Sequence, residues 1–256
     1  MSGLKFDKFL LFGDSITEFS FNNAFQASQG KLGQDPLDPL QQQFAFGSAL
    51  VNLYARKMEL VQRGFSGYTS RWALKLLPEV LDDVKNIKMA YIFFGSNDCI
   101  LGGNQVVPLE EYIENTEKLV AMLKAQNIKP ILITPAVYDH EKWNMLKKEE
   151  VAAGFVRTLD RFALYANSLV DLGSKLNVPV VNLNAAFMKY AVEKLDGRWQ
   201  ELLCDGLHFS GHGSYVMYNE LLKTIEKSYP EHHPKNVPYR LPNWRGVAAS
   251  GDNLEL

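Results

Sequence analysis

Cysteine is scarce in this chain: two residues, Cys99 and Cys204, among 256. Two thiols cannot build a disulfide framework or a cysteine-based zinc site. They suit a reducing compartment, where cysteine packs as a small hydrophobe. An excess of one charge sign is missing too. Lys plus Arg number 27 and Asp plus Glu 29, a net charge of −2, which gives no general attraction to nucleic acid or anionic membranes. No local basic stripe compensates, because Lys147-Lys148 is followed at once by Glu149-Glu150. Long apolar runs are also lacking. Phe9-Leu10-Leu11-Phe12 is too short for the core of a signal peptide and far too short to span a bilayer. The expectation is a soluble cytoplasmic protein with no nucleic-acid partner and no membrane insertion.

Several common chemical signatures are absent as well. There is no G-x-S-x-G, hence no ordinary nucleophile elbow. There is no G-x-x-x-x-G-K-[ST] and no G-x-G-x-x-G, which removes support for a nucleotide fold. His208 and His212 are four apart, but Phe209 follows the first, so the H-E-x-x-H zinc arrangement fails.

What is present is an ordinary globular composition, 46% apolar and 22% charged. A chain of this size buries roughly 70–75% of the surface it exposes when unfolded, so it needs no covalent staples. Short apolar runs alternate with longer helical patterns. Candidate strands are Lys8 to Phe12, Glu59 to Arg63, Met89 to Phe94, Pro130 to Thr134 and Val178 to Asn182. Tyr91-Ile92-Phe93-Phe94 and Ile131-Leu132-Ile133 are apolar at consecutive positions, as in parallel strands covered on both faces. The 3.6-residue period marks helices over Leu109 to Gln126, Phe155 to Leu176 and Gly211 to Ser228. The alternation predicts a three-layer α/β/α fold around a five-stranded parallel sheet in the flavodoxin-like order 2-1-3-4-5, with the site at the carboxyl ends of the strands.

Two stretches break this rhythm. Residues 19–44, after the first strand, form a candidate pocket wall or lid. From Pro230 onward the prolines at 230, 234, 238 and 242 forbid a helix, yet Tyr239, Leu241, Trp244 and Val247 make the segment apolar. The division expected is a catalytic domain over 1–229 and a tail over 230–256. The tail either packs on its own domain near the site or crosses to a second subunit as part of a homodimer.

Four segments near the strand ends could carry chemistry. Gly13-Asp14-Ser15 sets a serine at the sheet edge near a helix start; equally, Asp14 or Ser15 could serve only as a cap. Of the five histidines, only His208 has a carboxylate spaced to orient it, in Asp205-Gly206-Leu207-His208. Asp205 could hold Nδ1 and leave Nε2 free to take a serine proton, or the segment could be a solvated loop ahead of a helix capped by Ser210. His232 and His233, in the proline tail, read as surface residues. Asn97, in Gly95-Ser96-Asn97-Asp98, could aim an amide at an oxyanion or belong to a plain turn. Gly67, in Gly64-Phe65-Ser66-Gly67, could offer a backbone N–H or form an ordinary strand-to-helix turn. Convergence of Asp14, Asp98 and Asp205 keeps a magnesium-dependent phosphohydrolase open as a rival, and a non-catalytic binding module is another.

In this order the four segments resemble the SGNH (GDSL-type) hydrolases. Gly13 to Ile16 is similar to block I, Gly64 to Thr69 to block II, Gly95 to Asp98 to block III and Asp205 to His208 to block V. The resemblance spans about residues 5–228 and implies serine ester hydrolysis with no metal and no cofactor. Ser15 would be the nucleophile, His208 the base and Asp205 its orienting partner. Gly67 and Asn97 would bind the oxyanion together with the Ser15 N–H. Arg63 to Thr69, Phe93 to Cys99 and Asp205 to Ser210 resemble the isoamyl-acetate-hydrolysing esterases in particular. That implies a small-molecule substrate, an acetate ester of a small apolar alcohol, with a sugar or lipid deacylase as the alternative. Gln62 stands where block II often carries Asn, and Phe19-Ser20 where many relatives carry Gly. Phe19, Phe21, Phe25, Phe44, Phe65, Ile100 and Leu101 are the candidates for an apolar alcohol pocket or for core.

Overall fold

The computed structural model describes residues 4–23 and 43–254. Five strands, β1 (Lys8–Gly13), β2 (Glu59–Gly64), β3 (Ile87–Phe93), β4 (Lys129–Ile133) and β5 (Val180–Val181), make one parallel sheet in the order β2-β1-β3-β4-β5. The helices are α1 (Ser15–Glu18), α2 (Phe46–Tyr54), α3 (Ser70–Asp83), α4 (Leu109–Ala125), α5 (His140–Leu146), α6 (Lys148–Ala152), α7 (Leu159–Leu176), α8 (Leu183–Lys194) and α9 (Gly211–Ser228).

Strand side chains alternate between two cores. Leu10, Phe12, Ala90, Ile92 and Leu132 meet Leu77, Leu119 and Leu169 of α3, α4 and α7. Phe9, Leu11, Tyr91, Phe93 and Ile133 meet Leu50, Phe187 and Leu221 of α2, α8 and α9. Both faces of the central strands are therefore covered, which is why they carry little polar alternation; the edge strand β2, with Glu59, Gln62 and Arg63, is only partly buried. The expected three-layer architecture and strand order are those observed.

The boundaries differ where a cap intervenes. The fifth strand stops at Val181 because Asn182 caps α8, its side chain accepting from Ala185 N at 3.0 Å. The seventh helix starts at Leu159 instead of Phe155, because Thr158 caps it by accepting from Arg161 N at 3.2 Å. Residues 155–157 are left outside the helix, which sends Arg157 inward, where it is buried.

Beyond α9 the tail makes short 3-10 turns at Pro230–His232 and Trp244–Gly246. It runs along the amino end of the sheet. Tyr54 Oη donates to His232 O at 2.9 Å, Arg240 N donates to Arg56 O at 2.8 Å, and Arg56 Nη2 donates to Leu241 O at 3.0 Å. Lys57 Nζ donates to Pro234 O. These contacts precede β2, so they lie at the opposite edge from Ser15, not near it as one expectation had it. His233 is buried, against the expectation of a surface residue, because this packing covers it. Within one chain Tyr239 and Trp244 of the tail stay 61% and 71% exposed. Among the described residues no helix is long and apolar enough to cross a membrane.

Candidate active site

At the carboxyl end of β1 the chain turns sharply. A Cβ on Gly13 would run into Thr17 Oγ1 and Phe93 O, so only glycine fits. Asp14 caps α1 by accepting from Ile16 N at 3.0 Å, and Ser15 begins that helix. The cap thus falls on Asp14, and Ser15 Oγ takes no part in it.

The turn that carries the aspartate and histidine is closed by an antiparallel bridge between Leu203 and Phe209 and by Cys204 N donating to His208 O at 2.9 Å. Gly206, at φ +98°, leaves no room for a side chain: a Cβ would sit 2.6 Å from Asp139 O and 2.9 Å from Trp143 N. Asp139 N donates to Gly206 O at 2.8 Å, and Lys142 Nζ donates to Leu203 O at 2.9 Å, so the start of α5 braces the turn.

The structure brings Ser15, His208 and Asp205 together. Ser15 Oγ donates to His208 Nε2 at 2.9 Å, and His208 Nδ1 donates to Asp205 Oδ2 at 2.6 Å. The other carboxylate oxygen accepts from Leu207 N at 2.9 Å and His208 N at 2.8 Å. Burial of Asp205 works against its charge. The adjacent His208, its ring hydrogen bond and the two backbone N–H groups outweigh that and hold the carboxyl below its ordinary range. An ionised Asp205 fixes the proton on Nδ1 and leaves Nε2 as an acceptor.

Asn97 is buried at the end of β3. Its Nδ2 donates to Tyr68 O at 3.0 Å and its Oδ1 accepts from Arg157 Nη2 at 3.0 Å. Gly67 has φ +78°, its carbonyl accepts from Gln105 Nε2 at 2.6 Å, and its N–H has no acceptor among the described residues. Asp98 holds the start of α3 by accepting from Ser70 N at 2.9 Å. Burial pushes Asp14 up to about 7 and Asp98 up to about 6. Gln62 donates to Thr17 O at 3.2 Å and Glu18 O at 2.9 Å, tying α1 to β2.

Of the proposed pocket residues, Phe19 and Phe44 line a cleft beside His208, together with Ile16, Phe46 and Phe209. The Phe19 ring lies 5.5 Å from that of His208. Phe21 and Phe65 pack on the two cores instead, and Ile100 is fully buried. Leu101 is 51% exposed, and Phe25 lies outside the described residues. Trp143 and Arg157 are the residues that sequence reasoning missed; neither belongs to a short motif. Among the described residues no three His, Cys, Asp or Glu side chains are grouped as a metal site requires. Asp205 is engaged with His208 and does not join Asp14 and Asp98 in a cation cage.

Residues 9–221 match the family described as GDSL-like Lipase/Acylhydrolase. The chain belongs to that family and is a carboxylic ester hydrolase of the serine type. It is 48% identical over 251 residues to the isoamyl acetate-hydrolyzing esterase of Saccharomyces cerevisiae, covering 98% of this chain and 99% of that one. It is 30% identical to the human isoamyl acetate-hydrolyzing esterase 1 homolog, covering 100% and 94% of the two chains. Its fold is similar to that of an acetylxylan esterase from Geobacillus stearothermophilus, with TM-score 0.60 and 21% identity over 86% of this chain and 94% of that one. It is also similar to another acetyl xylan esterase, with TM-score 0.63 and 16% identity over 85% and 99%.

Proposed function

We propose that this chain hydrolyses short-chain carboxylic esters, acetate esters of small apolar alcohols foremost, through an acyl-Ser15 intermediate. The observation that carries the reading is the continuous chain of hydrogen bonds from Ser15 Oγ to His208 to Asp205, at 2.9 and 2.6 Å. Ser15 attacks the ester carbonyl carbon as its proton passes to His208 Nε2. The negative charge that develops on the carbonyl oxygen is met by the N–H groups of Ser15 and Gly67 and by the Asn97 amide. Collapse breaks the ester bond, and the departing alkoxide takes the proton from His208. Water then gives its proton to His208, attacks acetyl-Ser15, and frees acetate as the serine recovers a proton. Asp205 stays ionised throughout and steadies the imidazolium.

An apolar alcohol is supported by 48% identity to an esterase named for isoamyl acetate; the cleft beside His208 is mixed, with Ile16, Phe19, Phe44, Phe46 and Phe209 set among Ser20, Asn22, Asn23, Gln43, Ser210 and Ser214. Ser15→Ala is expected to lower turnover of isoamyl acetate by on the order of 10⁴–10⁶ with an unchanged melting temperature. A folded variant that keeps about a tenth of the wild-type rate contradicts the role. A cytoplasmic setting is supported by two buried free thiols. Assembly as a homodimer through the tail is supported by the exposed Tyr239 and Trp244.

A further inference from the structure

Arg157 is 3% exposed, and no carboxylate pairs with it among the described residues. Its Nε donates to Ser96 O at 3.0 Å and its Nη2 to Asn97 Oδ1 at 3.0 Å. Its Nη1 has no acceptor. The guanidinium lies 5.4 Å from the centre of the Trp143 ring, which in turn lies 6.3 Å from the His208 ring. The buried Asp14 feels the charge of Arg157 but makes no ion pair with it; a buried cation without an ion-pair partner is costly, and an apolar side chain of similar volume would fill the same space at less expense. Stability does not account for this charge; its position beside Asn97 does.

We propose that Arg157 is a positioning residue that orients and polarises the Asn97 amide for the oxyanion. The inference rests on the reading of Asn97 as an oxyanion donor. A guanidinium can only donate and the Tyr68 carbonyl can only accept, so the two partners fix which end of the amide is which. Oδ1 must face Arg157, and Nδ2 must face Tyr68. Tyr68 O takes one Nδ2 hydrogen, and the second remains for a substrate oxygen. Without Arg157, Oδ1 of the buried Asn97 would lose its donor, and the amide would lose the restraint on its rotation. A cation on Oδ1 also draws electron density from the nitrogen and strengthens both N–H donors. The benefit grows as negative charge develops on the substrate oxygen, so it belongs to the transition state more than to the bound ester. The bond to Ser96 O pins the backbone of the same turn, and the Trp143 ring lies over the guanidinium at 5.4 Å, between it and His208. The local reason for this placement is the Thr158 cap, which keeps Arg157 out of α7.

The test is a double-mutant cycle on the full chain with p-nitrophenyl acetate, comparing Arg157→Met, Arg157→Lys, Asn97→Ala and Asn97→Ala/Arg157→Met, each checked for folding by thermal melting. Arg157→Met is expected to lower kcat about 10- to 100-fold with KM changed less than about three-fold. Arg157→Lys, which keeps a charge that can reach one of the two oxygens, is expected to lose less. In the Asn97→Ala background the Arg157→Met change is expected to cost less than about three-fold, because the amide it serves is gone. Should Arg157→Met not fold, Arg157→Lys in both backgrounds carries the same comparison. An equal loss in both backgrounds, or a raised KM with kcat held, overturns the proposal while leaving Asn97 as an oxyanion donor. If Asn97→Ala alone keeps kcat within about three-fold of wild type, the oxyanion reading fails, and this proposal falls with it.

Discussion

Asp14 and Asp205 are both buried carboxyls within the same site, yet they are driven in opposite directions. Asp205 has three N–H donors and stays charged, whereas Asp14 has one, from Ile16, and its second oxygen has no partner. Burial therefore dominates at Asp14 and holds its proton up to about pH 7. In the unfolded chain the same carboxyl ionises near its ordinary value of 3.8. Between those values the folded state binds the extra proton, so the contribution of Asp14 is at its best below the lower value and is lost as pH rises through the upper one. Asp14→Asn, which keeps the acceptor for Ile16 N, is expected to gain stability relative to wild type as pH is raised from 5 to 8. Urea denaturation at both pH values checks this. A difference between variant and wild type that does not change with pH contradicts it. At this scale the sequence named Ser15, Gly67, Asn97, Asp205 and His208 because each sits in a short pattern with a chemical meaning. Arg157 was not legible. A lone arginine ahead of a helical stretch carries no local signal, and its importance comes from contacts with residues about 60 positions away.

Among the elements, the strands and the helices α4, α7 and α9 were legible because parallel strands buried on both faces leave consecutive apolar residues and amphipathic helices leave a 3.6-residue stripe, and the strand order followed from their alternation; α2, α3 and α8 were not named. Caps were harder to read. Phe155 continues the apolar stripe of α7, so periodicity alone extends the helix too far, while Thr158 ends that possibility with one hydrogen bond. The short helices α1, α5 and α6 span four, seven and five residues, too few to establish a period. They still matter, since α1 presents Ser15 and α5 braces the Asp205 turn. Thr158→Ala is expected to cost about 0.5–2 kcal/mol through the lost cap, and to lower activity as well, because Arg157 is the residue immediately before it. A shift in the urea midpoint with an unchanged slope, together with a lower kcat, is the expected pattern. Unchanged stability would mean that the cap does not set the start of α7.

For the whole molecule, the catalytic edge and the tail lie at opposite ends of the sheet. The tail spends its hydrogen bonds on Tyr54, Arg56 and Lys57, ahead of β2. Its prolines excluded a long helix, but nothing in its pattern said which edge of the sheet would receive it. A chain cut after Ser228 is expected to have a lower melting temperature, with the activity per folded molecule retained. Light scattering is expected to show a dimer for the full chain and a monomer for the shortened one. A monomer in both contradicts assembly through the tail, and an unchanged melting temperature contradicts a structural role for it.

The central claim is that Ser15 is the activated nucleophile, and covalent trapping tests it most directly. The full chain is treated with a p-nitrophenyl alkylphosphonate, digested, and mapped by mass spectrometry. The account predicts one phosphonyl group per chain, on Ser15, with labelling abolished in Ser15→Ala and strongly slowed in His208→Ala, which removes the Nε2 that is the hydrogen-bond partner of Ser15 Oγ. Labelling of another serine, or equal labelling of the Ser15→Ala chain, would contradict it.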